Sequence, residues 1–242
     1  MQLDFEKGTV LLVDKPLTWT SFDVTNKIKY LVLRQLNIQL GLLNGKKRKI
    51  KVGHAGTLDP LATGLLIVCI GKETKQINLY MGQEKEYTGT IYFGASRPSF
   101  DKETEIDQHV SMPLHDTSSI QSAANTFLGE IMQIPPVYSA IKVNGKRAYQ
   151  SARAGEELEM KARQVQVRAF DITANNWPLV SFRIVCSKGT YIRSLAHDLG
   201  IQLGGLAYLD SLCRTRIGNF ELKDAYSIEN LQASWEQNSV IE

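Results

Sequence analysis

Two segments late in the chain, ARQVQVRAFDIT (Ala162–Thr173) and LVSFRIVCS (Leu179–Ser187), constrain the fold more than any other feature. The first alternates apolar and polar residues, and the second is rich in β-branched and aromatic ones, so both read as strands. Only Ala174–Pro178 separates them. So short a link joins antiparallel neighbours, whereas parallel ones need about a dozen residues or more.

Earlier runs extend the pattern. KEYTGTIYFG (Lys85–Gly94) places Tyr87, Ile91 and Phe93 on one side and Glu86, Thr88, Thr90 and Tyr92 on the other. TVLLVDKP (Thr9–Pro16) and GLLIVCIGK (Gly64–Lys72) are continuous apolar runs, expected as buried strands, and AYLDSLCRTRIGNF closes as a strand with a turn. Helices are expected over Ser21–Leu36, with Phe22, Ile28, Leu31, Val32 and Gln35 near helical spacing and Ser21 as N-cap. Others are expected over Ser118–Leu128 and over Thr190–Gly204, the latter burying Ile192, Leu195, Leu199 and Leu203 behind a Thr190 cap. The expected class is α/β (α+β): a mixed, largely antiparallel sheet with flanking helices. Ala95–Asp116 is polar and aperiodic, expected as a mobile loop over 95–116. With no repeat and no low-complexity linker, residues 1–242 read as a single domain.

Composition narrows function by exclusion. At 43% hydrophobic and 22% charged the chain can bury a sizeable core, and a net charge of +3 permits an anionic partner without demanding one. No run approaches the roughly 20 apolar residues of a membrane span, and the N-terminus has no signal-peptide core. Cys69, Cys186 and Cys213 are scattered, and they make no metal-binding spacing with the four histidines. Buried thiols, a cytoplasmic location, no metal and no cofactor are therefore expected. No leftover apolar helix face asks for a partner, so the protein is expected to be a monomer. GLLIVCIGKE lacks the Ser or Thr of a phosphate loop, and no GxGxxG, zinc-deaminase pattern or nucleophile elbow occurs.

GHAGTLDPLATG (Gly53–Gly64) is the stretch that invites chemistry. Asp-Pro alone is a common turn. Here Gly53, Gly56 and Gly64 would let the backbone approach a ligand closely, and Pro60 would fix the direction of the Asp59 carboxylate. An ionised aspartate suits nucleophilic attack and, if buried, needs a cation. Arg193, in the first turn of the Thr190–Gly204 helix, is the candidate. Tyr87 reads either as a core aromatic or as a face for base stacking. Lys46, Lys47, Arg48, Lys49 and Lys51 form a basic run just before the loop, placed where a phosphate backbone entering the Asp59 site would pass. His54 would donate to a phosphate or pack in its loop.

These motifs, taken in order, resemble the TruB-type tRNA pseudouridine synthases. VGHAGTLDPLATGLLIVCIGKETK matches the family's catalytic motif, and LLVDKPLTWTS its N-terminal lysine-proline motif. KEYTGTIYFG, QIPPVYSAIKVNGKRAYQSARAGE, CSKGTYIRSLAHDLG and GGLAYLDSLCRTRIG also match, so the resemblance covers nearly the whole chain. It implies the pseudouridine-synthase catalytic fold and isomerisation of uridine 55 in the TΨC arm of tRNA by base flipping. By the same resemblance Asp59 is the catalytic aspartate, Arg193 its ion-pair partner and Tyr87 the stacking ring. Tyr191 and Leu212 would hold the base, and His54 would help extrude it. Whether Asp59 attacks the sugar or assists an elimination stays open.

Three departures accompany the match. Thr18 stands where a glycine is usual, a change expected to leave the site untouched. No C-terminal RNA-binding module of the PUA type is expected. LNIQLGLLNGKKRK, a basic insertion near 37–51, looks longer than usual, and its cations are expected to supply part of the affinity that module gives. Two rival readings remain: a non-catalytic tRNA-binding or folding protein on the same scaffold, and a glycoside-cleaving enzyme with a second acid among Glu73, Asp101 and Asp198.

Overall fold

A computed structural model describes residues 8–39, 49–143, 145–156 and 158–237. Along the chain run β1 (Thr9–Lys15), α1 (Ser21–Gln39), β2 (Val52–Ala55), β3 (Ala62–Ile70), a 3-10 turn (Gly71–Gln76), α2 (Ile77–Gly82) and β4 (Lys85–Phe93). Next come β5 (Ala95–Ser96), β6 (Gln108–His109), α3 (Thr117–Asn125), β7 (Gly129–Gln133), β8 (Lys142–Val143), β9 (Lys146–Arg147) and α4 (Ala148–Arg153). The chain continues through β10 (Arg163–Asn176), β11 (Leu179–Cys186), α5 (Ile192–Gln202), β12 (Ala207–Ile217), β13 (Phe220–Glu221) and α6 (Ile228–Gln237). Contacts divide these elements between two compact units: Met1–Gln83 with Cys213–Glu242, and Glu84–Leu212.

The first unit is built on β3. β1 runs antiparallel along it from Thr9↔Ile70 to Lys15↔Gly64, and β2 pairs with its C-terminal end from Val52↔Ile70 to Ala55↔Ile67. Alternation then assigns two faces. Leu66, Val68 and Ile70 pack with Val24, Ile28, Val32 and Leu36 of α1 and with Ile228, Leu231 and Trp235 of α6. Leu65, Ile67 and Cys69 pack with Ala55, Ile217, Ile77 and Phe220. With both faces covered, β3 has no need to alternate in hydrophobicity, which is why GLLIVCI is a continuous apolar run.

The second unit is a four-strand antiparallel sheet in the order β4-β11-β10-β7. β4 pairs with β11 from Lys85↔Cys186 to Tyr92↔Leu179, β10 with β11 as the expected hairpin, and β7 with the start of β10. α3 is tied to β10 through Gln121, which donates to the Phe170 carbonyl and accepts from the Ile172 amide. The largely antiparallel class expected from sequence is therefore observed in both units. No helix among the described residues is long and apolar enough to cross a membrane.

Several local expectations change. Phe22 is 65% exposed, because the buried stripe of α1 starts at Val24. The cap of α1 is Thr20: its hydroxyl accepts from the Asp23 amide, and the Asp23 carboxylate accepts from Thr20, a reciprocal box. Ser21 is thereby released for another task. The cap position of α5 is Tyr191, while Thr190 donates its hydroxyl back to the Ser187 carbonyl. Where 95–116 was expected to lack regular structure, Ala95–Ser96 pairs with Gln108–His109. Ser99 and Asp101 are buried inside the turn between them. Cys69 and Cys186 are buried free thiols and Cys213 is half-buried.

Candidate active site

In the first unit the Asp59 loop rests on groups drawn from three elements. The Asp59 carbonyl accepts from the Ala62 amide, closing a turn around Pro60 that leads into β3. Beneath it lies Lys15, at the end of β1 and fully buried. Its ammonium donates to the carbonyls of Pro16 (2.9 Å), Trp19 (2.5 Å) and Pro60 (3.3 Å). Burial pushes this lysine down to about 8, opposed by the field of Asp59 and aided by the charge of Arg214. Lys15 thus gives Asp59 a buried cation within its own unit. Lys15→Met takes this donor from the carbonyls of Pro16 and Trp19, while that of Pro60 keeps the Thr18 amide. We expect a loss of about 1–2 kcal/mol in urea denaturation, at about 0.5–1.5 kcal/mol per lost bond to a half-buried carbonyl less the relief of a desolvated charge.

Ser21 and Arg214 hold the same loop from other directions. The Ser21 hydroxyl accepts from the Leu58 amide (2.9 Å) and donates to the Leu58 carbonyl (3.2 Å). Arg214 is 1% exposed, and its guanidinium donates to the carbonyls of Leu65 (2.8 Å) and Gly56 (2.9 Å). The glycines of the loop serve its own packing. A Cβ on Gly64, at φ +99°, would lie 2.4 Å from the Arg214 carbonyl oxygen, and one on Gly53 would lie 2.7 Å from Ile77 Cδ1.

Thr18 does touch this loop. Its amide donates to the Pro60 carbonyl at 2.9 Å, and its φ of +70° lies in the region that favours glycine. A β-branched residue there is strained. Thr18→Gly relieves about 1–2 kcal/mol of left-handed strain and returns ~0.5–1 through the freer unfolded chain. The expected net gain, up to about 1 kcal/mol, is readable as a higher urea midpoint.

His54 lies on β2 with both ring nitrogens engaged. The Thr25 hydroxyl donates to the Ser21 carbonyl, so at 3.1 Å it accepts from His54 Nδ1, and Nε2 is left to accept from the Thr57 hydroxyl at 3.3 Å. Burial, then the charge of Arg214, holds His54 below the ordinary imidazole range. It is neutral at pH 7, with its proton on Nδ1 and its lone pair toward Thr57. Of the basic run, Lys46, Lys47 and Arg48 lie outside the described residues. Lys49 and Lys51 precede Val52, which pairs with Ile70, so they sit at the far end of β3 from Asp59 rather than beside it.

The second unit carries the remaining candidates. Tyr87 is buried on β4 opposite Ile184, and Tyr191 and Leu212 are half-buried, at the cap of α5 and on β12. Tyr191 is gripped at the backbone by Gln133, whose side-chain amide accepts from its N–H (2.8 Å) and donates to its carbonyl (3.0 Å). Arg193 is 3% exposed. It donates to the carbonyls of Ser99 (3.1 Å) and Tyr138 (3.0 Å) and pairs with Asp101 at 3.5 Å. Asp101 in turn accepts from the Glu103 amide. The acids considered as second carboxylates therefore have other surroundings. Asp101 is an arginine partner, and Glu73 accepts from the Tyr80 hydroxyl. Burial alone raises Asp198 to about 6.

A family model described as TruB family pseudouridylate synthase (N terminal domain) matches residues 43–192. A protein of Flavobacterium johnsoniae named tRNA pseudouridine synthase B is 48% identical over 96% of this chain and 97% of its own length. Its namesake in Phocaeicola vulgatus is 46% identical over 99% and 98%. The chain belongs to the TruB family. Solved structures agree on the fold of this TruB-family chain. An archaeal box H/ACA sRNP Nop10–Cbf5 complex matches with TM-score 0.66 and 25% identity, covering 98% of this chain and 57% of the other. A Cbf5–Nop10–Gar1 complex matches with TM-score 0.69 and 26% identity, over 96% and 56%. The chain thus spans a little over half the length of these structural relatives.

Lys15, Ser21, Arg214 and Gln133 were not singled out as TruB-family site residues from sequence. Lys15 left a signal as the lysine before Pro16, Ser21 as a cap candidate and Arg214 as an arginine inside the strand CRTRIG. Their tasks rest on backbone groups of distant residues, Pro60 for Lys15, Leu58 for Ser21, Tyr191 for Gln133 and Gly56 for Arg214, which no spacing rule reveals.

Proposed function

We propose that this TruB-family enzyme converts a uridine of tRNA to pseudouridine, at position 55 of the TΨC arm. The observation that carries the reading is the Asp59 loop, fixed from three sides by Lys15, Ser21 and Arg214. A carboxylate so supported has a preorganised direction before substrate arrives.

The reaction breaks the bond between uracil N1 and ribose C1′ and joins C1′ to uracil C5. C5 gives up its proton and N1 gains one, so no oxidant, reductant or second substrate is consumed. Asp59 starts the cleavage as the one carboxylate both halves of the reaction share, with Arg193 as its expected ion-pair partner. The target base must first leave its stack, at a cost of a few kcal/mol. Tyr87, Tyr191 and Leu212 offset that cost by stacking on and enclosing the base, and neutral His54 assists extrusion. Recognition rests on RNA shape and phosphates. The protein acts as a cytoplasmic monomer, as a single catalytic domain, without metal or cofactor.

Tritium release tests this directly. Purified protein should release tritium from tRNA labelled at uracil C5, and release should fall by the share of one site when uridine 55 is replaced by cytidine. Equal release from both RNAs would move the target elsewhere. No release from either would reject the isomerase.

A further inference from the structure

At the end of the first unit remote from Asp59 an open cavity of about 510 Å³ is lined by Lys49, Lys51, Lys72 and Lys75, with Gly71 and Thr74 between them. Two segments far apart in sequence supply the lysines in pairs. The Gly71 amide donates to the Lys51 carbonyl at 2.8 Å, and the Thr74 hydroxyl donates to the Gly71 carbonyl at 2.7 Å. Pairing of Val52 with Ile70 fixes the register between them. The backbone that carries the four lysines is therefore held in a fixed register.

Its charge is one-sided. No carboxylate lines it, and among the described residues no ion pair joins any of the four lysines to an acid. Glu73, in the same turn, accepts from the Tyr80 hydroxyl instead and lies outside the lining. Nor does the lining include an aromatic ring or a side-chain amide that would read a base. Lysines alone act as point charges and position phosphates without reading sequence.

We infer that this cavity is a second RNA contact, holding phosphodiester backbone away from the reacting nucleotide. The inference rests on RNA being the substrate, as proposed above. β3 separates the cavity from Asp59: Ala62 follows the catalytic turn at one end and Ile70 enters the lysine turn at the other. Nine residues of strand span roughly 30 Å. A short hairpin bound at Asp59 need not reach that far, whereas a whole tRNA extends well beyond its target loop.

The experiment compares full-length tRNA with its isolated T-arm hairpin. Binding of each is measured against salt concentration for the wild type, for Lys72→Ala/Lys75→Ala, and for the variant with Lys49 and Lys51 also changed to Ala. Tritium release is followed in parallel. With four exposed side chains removed, tRNA affinity should fall at least about tenfold and its salt slope by roughly 3–4, at about 0.7–0.9 per lost phosphate contact. Hairpin affinity should move by less than about twofold, and the double variant should fall between. Unchanged tRNA affinity and slope in an active enzyme would overturn the inference, as would equal losses on hairpin and tRNA. Inorganic phosphate that binds the wild type and not the fourfold variant, with tRNA affinity the same for both, would assign the cavity to free phosphate and overturn it also. A wild type that shows the slope difference but releases no tritium would sink the proposed activity and leave the RNA contact standing.

Discussion

Asp59→Asn should reduce tritium release by at least about 10⁴-fold, the scale seen when a single catalytic group is removed. That is about 5.5 kcal/mol of transition-state stabilisation. The substitution is nearly isosteric, and asparagine forms turns as readily as aspartate. The hydrogen bond from the Ala62 amide goes to the backbone carbonyl of residue 59 and survives the change. The contacts of Lys15 are with the carbonyls of Pro16, Trp19 and Pro60, so the loop keeps its support. Affinity for tRNA should therefore stay within about threefold, because phosphates carry most of it. Release by Asp59→Asn at a tenth of the wild-type rate or more would move the chemistry to another group. Loss of binding together with activity would mean that the variant had lost its fold, which a melting curve would reveal.

The second large effect is structural. Arg193→Met should destabilise the protein by about 3–5 kcal/mol, because it strands a buried carboxylate whose cation has gone. Asp101 is 6% exposed and pairs with Arg193, and the carbonyls of Ser99 and Tyr138 lose the same donor. Three connections fail at once: α5 to the Ser99 turn, α5 to the Tyr138 segment, and the guanidinium to Asp101. Adding Asp101→Asn to Arg193→Met should recover about 1–3 kcal/mol of the loss, since a neutral amide tolerates the vacated site better than a charge. Strict additivity of the two changes in denaturation would show that the pair does not interact. Activity should fall as well, but the recovery of stability without recovery of tritium release would separate the structural task of Arg193 from its proposed task beside Asp59.

How much of this the sequence disclosed depends on whether the cause was local. The strands came through because their signals are periodic. Tyr87, Ile91 and Phe93 share a face of β4 and are all buried, and the continuous run of β3 reflects two covered faces. The caps were displaced by one residue at Thr20/Ser21 and Thr190/Tyr191. Neighbouring hydroxyl residues fit the same pattern, and only the direction of the side chain decides between them. Lys15 was legible as a turn lysine before proline. Its burial was not, since one of the three carbonyls that receive it lies 45 residues away. The glycines around Asp59 looked like room for a ligand, yet Gly64 is required by the passage of Arg214, a contact made across 150 residues of sequence. Asp101 sat in a segment without periodicity, so its pairing with Arg193 could not be anticipated.

The hydroxyl of Ser21 spends both its donor and its acceptor on Leu58, the residue next to Asp59. An amide in a loop ordinarily opens to solvent on the loop's own schedule, with little free energy opposing it. This one cannot open until the first turn of α1 lets go, and that turn belongs to a packed helix. The Asp59 segment thus keeps the time of the helix beside it: a loop by geometry, but with the slow clock of the core.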